Sequence, residues 1–215
     1  MGSTMITRGP PLHAAHSRQA TAVFWLKSRL LIVRRLVVDA ARGELRRRYA
    51  RAASIPATAR PLARDEHPVY TATDRREQEL ELGKVHNLRI AAAAVDGIVL
   101  KPGELFSFWA AAGRPSQGKG YVVGRELRQG CMIPSIGGGI CQLTNALSRV
   151  AHRAGMDLVE RHSHTVHPPG FFIDAATDAT VFWNYIDFRF RSPVALRVGA
   201  TLTETTLVVR LDALE

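Results

Sequence analysis

The apolar positions in the first part of the chain recur at helical spacing. Val23, Leu26, Leu30, Val33, Val37 and Ala41 fall on one face of a helix predicted from Arg18 to about Ala53, and arginines occupy much of the remaining circumference. Residues 1–17 mix Gly, Pro, Ser and His without a period and read as a disordered lead. Residues 54–70, with Pro56, Pro61 and Pro68, read as a linker. Asp74 followed by Glu77 predicts a capping box, which opens a helix through Leu80, Val85, Leu88 and the alanines 91–94 that Gly97 ends. After a turn at Pro102 and Gly103, the bulky run of residues 105–109 predicts a strand. Shorter strands are expected around residues 121–123 and near Met132.

Gly137, Gly138 and Gly139 then lead into a helix with Leu143, Leu147 and Val150 on one face, ending near Gly155. Strands are predicted over residues 158–165, 179–191, 195–200 and 205–211, with a turn at Pro168, Pro169 and Gly170 between the first two. The order predicts an α+β fold: N-terminal helices, then a mainly antiparallel sheet with an embedded helix starting at Cys141. The chain accordingly divides into a lead (1–17), a basic helix and linker (18–70) and one principal domain (71–215).

Composition changes this picture mainly at the N-terminus. With 215 residues and 46% hydrophobic content, the chain can bury one sizeable core. Its net charge of +10 is not evenly spread: residues 1–64 hold 13 Lys and Arg against 2 Asp and Glu, and the rest is close to neutral. No nucleic-acid partner is expected from a near-neutral principal domain, and none is expected for the protein. The basic helix over residues 18–53 reads either as contact with an anionic membrane surface or nucleic acid, or as a helix packed on the domain with a solvated arginine face. Lys27, Arg29, Arg34 and Arg35 interrupt its apolar stretch, so it does not read as a spanning helix. Arg8, Pro10 and Pro11 stand where a secretory signal needs an apolar core, and the two cysteines, Cys131 and Cys141, are too few for a disulfide scaffold. A cytoplasmic protein with peripheral membrane contact is the expectation.

The candidate chemistry centres on Cys141. A thiol in the first turn of a helix meets the positive end of the helix dipole and unpaired amides, both of which favour thiolate. Gly137, Gly138 and Gly139 would let backbone approach a substrate, and amides around Cys141 could form an oxyanion site. His162 and His164 share one face of the predicted strand and are the candidate bases, with Asp178 or Asp187 as the carboxylate that orients the imidazole. Strand alternation puts the two aspartates on opposite faces, so at most one serves. Gln142, Asn145 and Arg161 are candidate substrate contacts. The alternative for Cys141 is a buried small apolar residue at a tight junction, which is also the reading favoured for Cys131. His162, His164 and His167 spell the spacing of part of a metal site, with Asp174, Asp178 or Asp187 to complete it. The glycine loop lacks the Lys and Ser or Thr of a phosphate-binding loop and no dinucleotide fingerprint appears, so no cofactor is expected.

Several motifs in series carry a resemblance: Lys84, Val85, His86, Asn87 and Leu88; residues 102–108; Gly120 and Tyr121; residues 137–142; residues 160–165; residues 178–181; and residues 184–190. Together they resemble the VanW family, named from glycopeptide-resistance clusters. The resemblance implies a setting in the cell envelope and glycopeptide resistance, and a small-molecule or peptide substrate related to peptidoglycan. Three functions are compatible: a Cys-His-Asp enzyme of acyl-transfer type (amidase, peptidase or transpeptidase), a non-catalytic module that binds cell-wall fragments or glycopeptide, and a metal-dependent hydrolase. The order Cys, His, Asp is also similar to the layout of papain-like and transglutaminase-like enzymes.

Overall fold

A computed structural model describes residues 18–44, 47–71, 78–128, 131–164, 174, 176–183 and 185–214. The expected lead over 1–17, the capping box at Asp74 and Glu77, His167 and the turn at Pro168, Pro169 and Gly170 lie outside these residues.

The last strand shows how the core is assembled. Along β10 (Thr206–Ala213), Leu207, Val209 and Leu211 alternate onto one buried face, as the period of a strand requires. It pairs with β9 (Leu196–Leu202) on one side and β2 (Arg60–Pro68) on the other. Beyond β9 come β3 (Ile98–Leu100) and β1 (Ala50–Arg51), giving a five-stranded antiparallel sheet. Two helices pack on this sheet: α2 (Gln78–Val95) against β9, and α4 (Cys141–Arg153) against β2 and β10. Leu88, Ala91 and Val95 of α2 and Leu143, Leu147 and Val150 of α4 enter one core with the strand residues. Each fully buried Leu or Val contributes about 2 kcal/mol to that core. A second sheet sets β8 (Arg189–Arg191) between β4 (Leu105–Ser107) and β7 (Asp157–Glu160), with Phe106 and Phe190 stacked at 4.8 Å. β5 (Val123–Arg128) and β6 (Cys131–Ile136) form a separate hairpin that feeds the glycine turn before α4. Mainly antiparallel sheets with α-helices packed on them make the fold α+β.

Four local expectations are corrected. Helix α1 (Arg18–Ala41) stops near Gly43, whose φ of 68° is left-handed, and does not run to residue 53. The stretch read as a linker contains β2; its prolines fall at the strand end (Pro68) and beside a register shift (Pro61), where an edge strand tolerates them. The run 105–109 splits at Ser107, whose hydroxyl accepts a hydrogen bond from Ala110 N at 3.1 Å and caps α3 (Phe108–Ala112). The strands expected over 158–165 and 179–191 are short: β7 ends at Glu160 and β8 begins only at Arg189, with one isolated bridge between Phe182 and Ile186.

Candidate functional site

Cys141 opens α4 because the chain reverses sharply after β6. Gly137 and Gly139 take φ of 79° and 99°, a region that suits glycine. Space matters as much as torsion: a Cβ on Gly138 would stand 2.3 Å from Gly124 O, and one on Gly139 would stand 2.0 Å from Lys84 Cγ. The close approach that these glycines permit is therefore made to β5 and α2. Asn87 fastens the same turn, donating through Nδ2 to Gly138 O and Val122 O at 3.0 Å each and accepting from Val122 N at 2.9 Å.

The sulfur of Cys141 is half-buried. It lies 3.6 Å from Thr180 Oγ1 and 3.9 Å from Val181 O, and it is near enough to the His164 ring to act on that ring's protonation. That ring is itself held: Nδ1 lies 2.9 Å and 3.1 Å from the two carboxylate oxygens of Asp178, and His164 N donates to Asp178 Oδ2 at 2.6 Å. The His164 side chain is 8% exposed and that of Asp178 0%. Burial works to lower the His164 pKa, but the hydrogen bonds to Asp178 and Cys141, with the negative charge of both, push it up to about 10. At neutral pH the imidazole then carries both protons, so Nδ1–H donates to Asp178 and the second ring nitrogen is the one available to the sulfur.

Neighbouring polar groups hold the 178–181 segment over the helix start. Thr144 Oγ1 donates to Ala179 O at 2.7 Å, Ala179 N donates to Asn145 Oδ1 at 2.6 Å, and an Arg161 guanidinium nitrogen donates to Asp178 O at 2.7 Å. Asn145 and Arg161, expected as substrate contacts, thus also position the aspartate strap. Gln142 Nε2 donates to Pro68 O at 2.8 Å and ties α4 to β2.

Two candidates stand elsewhere. His162 does not share a strand face with His164, because β7 has ended by Glu160; its Nε2 lies 3.3 Å from Glu160 Oε1, and half of its side chain is in solvent. Asp187 is buried against Ser107 Oγ (2.6 Å), Trp109 N (3.1 Å) and Arg189 Nε (2.7 Å), so the choice between the two aspartates falls to Asp178 as the partner of histidine. His164 and Asp178 both lie outside regular strands, which departs from the expected order of a strand His and a strand Asp. Among the described residues, no group of three or more His, Cys, Asp and Glu is arranged to hold a metal ion.

Cys141 and Gly139 line two clefts. The larger, of about 770 Å³, has an apolar and aromatic wall that includes Ile140, Trp109 and Trp183, the two indoles meeting edge to face at 5.4 Å. The smaller, of about 410 Å³, also takes in His164, Gln142 and Asn145, and its wall carries Lys84, Arg125 and Arg149. Lys84 and Arg125 are buried around Glu81, with Lys84 Nζ at 2.6 Å and Arg125 Nε at 3.1 Å from its carboxylate. Burial alone would raise the Glu81 pKa; Lys84, the Thr71 amide and Arg125 reverse that and hold it low. Thr180, Asn87 and this buried charge cluster were not singled out as site residues from the sequence. Lys84 and Asn87 were visible only as motif members, and their roles depend on a turn more than fifty residues away.

The sequence model of a family described as "VanW like protein" matches residues 83–211. The uncharacterized protein YoaR of Bacillus subtilis (strain 168) is 37% identical over 116 residues, 52% of this chain and 38% of that protein. The vancomycin B-type resistance protein VanW of Enterococcus faecalis (strain ATCC 700802 / V583) is 32% identical over 135 residues, 60% of this chain and 49% of that protein. The chain thus spans less than half the length of either curated relative. No solved structure matches it. The family match covers well over half of the chain and takes in the glycine turn, Cys141, His164 and Asp178, and on that ground the chain belongs to the VanW-like family.

Proposed function

We propose that this domain is a cysteine-dependent acyl-transfer enzyme of amidase, peptidase or transpeptidase type. In this reading Cys141 is the nucleophile, His164 its proton acceptor and donor, and Asp178 the carboxylate that orients the ring. The observation that carries it is a buried His164–Asp178 pair that shares a cleft with the Cys141 sulfur at a helix start.

The chemistry balances without a cofactor. Thiolate sulfur attacks the carbonyl carbon, and the developing oxyanion takes a backbone donor. Gln142 N–H is bonded to Gly139 O and Leu143 N–H to Ile140 O, so in this reading the donor comes from the amides just before them, that of Cys141 among them. The imidazolium then gives its proton to the leaving amine, releasing it and leaving a thioester on Cys141. Water or a second amine, deprotonated by His164, attacks the thioester and restores the thiolate. Two clefts meeting at one sulfur suit an acyl group on one side and a departing or entering amine on the other. In this reading a substrate carboxylate would meet the Lys84, Arg125 and Arg149 side of the smaller cleft, where Glu81 and Asp65 already offset part of the positive charge. The name of the Enterococcus relative directs the search to peptidoglycan-related peptides.

The test is incubation with peptidoglycan stem peptides ending in a free carboxylate, read by mass spectrometry of protein and peptide together. The expected result is an acyl adduct on Cys141 and peptide turnover that Cys141→Ala abolishes. If Cys141→Ala turns over the peptides as the native protein does, the enzymatic reading fails. If neither protein turns them over but both bind them equally, the domain is a binding module.

A further inference from the structure

Helix α1 is inverted relative to an ordinary amphipathic helix on a globular domain. The side chains that face the body are Ser28, Ile32, Arg35 and Asp39; Arg35 pairs with Glu160, and Asp39 with Arg189 at 3.0 Å. The opposite stripe carries Val23, Leu26, Leu30, Val33 and Val37, each more than half exposed. Five aliphatic side chains in one outward row are an apolar surface of the kind that marks an interaction site. Lys27 and Arg34 border the row on one side and Arg29 on the other, all exposed, and no acidic residue occurs between Arg18 and Val38.

The alternation of three and four along this row would also suit pairing with a second copy of the helix. Charge argues against it. In a pair of identical helices, parallel or antiparallel, the residues flanking the seam face each other, and here those are Lys27, Arg29 and Arg34. Like charges would meet, whereas an anionic lipid surface would accept the aliphatic row and the cations together. From Val23 to Val37 the row is about 21 Å long at 1.5 Å per residue, enough to lie along an interface. No helix among the described residues is long and apolar enough to cross a membrane.

We propose that the outward face of α1 docks the domain on an anionic membrane surface, with the helix lying in the plane of the interface. Ile32 and Leu36, toward the other side of the same helix, line the larger cleft that reaches Cys141. Docking therefore holds that cleft beside the lipid, where a membrane-attached substrate would be presented. The docking itself does not depend on Cys141 being a nucleophile.

Flotation of the full chain with phosphatidylcholine vesicles, with and without about 30% phosphatidylglycerol, tests it. The native protein is expected to float with the anionic vesicles at low salt and to be released by high salt. Leu30→Glu/Val33→Glu, which changes only outward side chains and should leave the melting temperature in place, is expected to abolish flotation. Lys27→Glu/Arg34→Glu is expected to weaken partition by about tenfold or more, at roughly 1 kcal/mol for each cation near the surface. Equal flotation with neutral and anionic vesicles, or none with either, would overturn the proposal. So would a native dimer that Leu30→Glu/Val33→Glu converts to monomer while vesicle binding stays unchanged.

Discussion

Replacing His164 by Asn lowers the rate at which iodoacetamide alkylates Cys141 at pH 6 by about tenfold, and lowers acyl-transfer turnover by about a thousandfold or more. Alkylation consumes thiolate, and an ordinary thiol holds on the order of 0.3% thiolate at that pH. A cationic imidazole beside a sulfur favours thiolate over thiol. A thiolate stabilised in this way is also a weaker nucleophile, which offsets part of the gain, so about a tenfold net effect is expected. Turnover suffers more because it also needs His164 to protonate the leaving amine. A Cys131→Ser background leaves Cys141 as the sole thiol, so one rate is read. Equal rates in the presence and absence of the imidazole would mean that His164 does not activate the sulfur.

The second large effect is structural and falls outside the catalytic contacts. Arg189→Met destabilises the domain by about 3 to 5 kcal/mol, measured by urea unfolding. The Arg189 guanidinium bridges Asp187 at 2.7 Å, Asp39 at 3.0 Å and Glu44 at 3.3 Å, and it lies 3.6 Å from Glu160. Burial raises the Asp187 pKa even with Arg189 beside it, so a neutral neighbour leaves a buried carboxylate without its counter-charge. Asp187→Asn added to Arg189→Met is expected to recover part of the loss, because it removes the stranded charge. The same guanidinium ties the end of α1 to β8 through Asp39, so amide exchange in α1 should rise in Arg189→Met. A loss below about 1 kcal/mol would place this network among surface ion pairs.

The legible parts of this structure were those set by local pattern. Leu143, Leu147 and Val150 announced α4, and the glycines before Cys141 announced an abrupt helix start, because periodicity and turn chemistry are properties of neighbouring residues. The strand β2 was hidden because Arg60, Arg64, Asp65, Glu66 and three nearby prolines look like linker. Its stability comes from pairing with β10 nearly 150 residues later. For α1 the sequence left two readings open. Its apolar row was visible, but which face meets the domain was decided by ion pairs from Arg35 and Asp39 to distant residues.

Within the proposed site, Cys141 and the downstream His and Asp candidates could be named from residue type and order. The selection of His164 over His162 was not, since it depends on β7 ending at Glu160 and the chain turning the later ring toward Asp178. Asp187 was an equal candidate by type, and its burial beneath Trp109 N and Arg189 removed it. Strand counting failed for both aspartates for one reason: among the described residues from 178 to 188 there is a single bridge, Phe182 to Ile186, and no strand.

The most direct measurement of the coupling among Cys141, His164 and Asp178 is the pH titration of the His164 ring nitrogens by NMR. The predicted midpoint is about 10, with the doubly protonated ring present at neutral pH and a substantial fall in midpoint in Cys141→Ser. The linked stability has a definite sign. A histidine whose folded value lies above the unfolded 6.5 stabilises fully below about 6.5, and that contribution is lost as pH rises toward 10. A ring that titrates near 6.5, and does so equally with and without the Cys141 sulfur, would contradict a coupled sulfur, imidazole and carboxylate and with it the proposed chemistry.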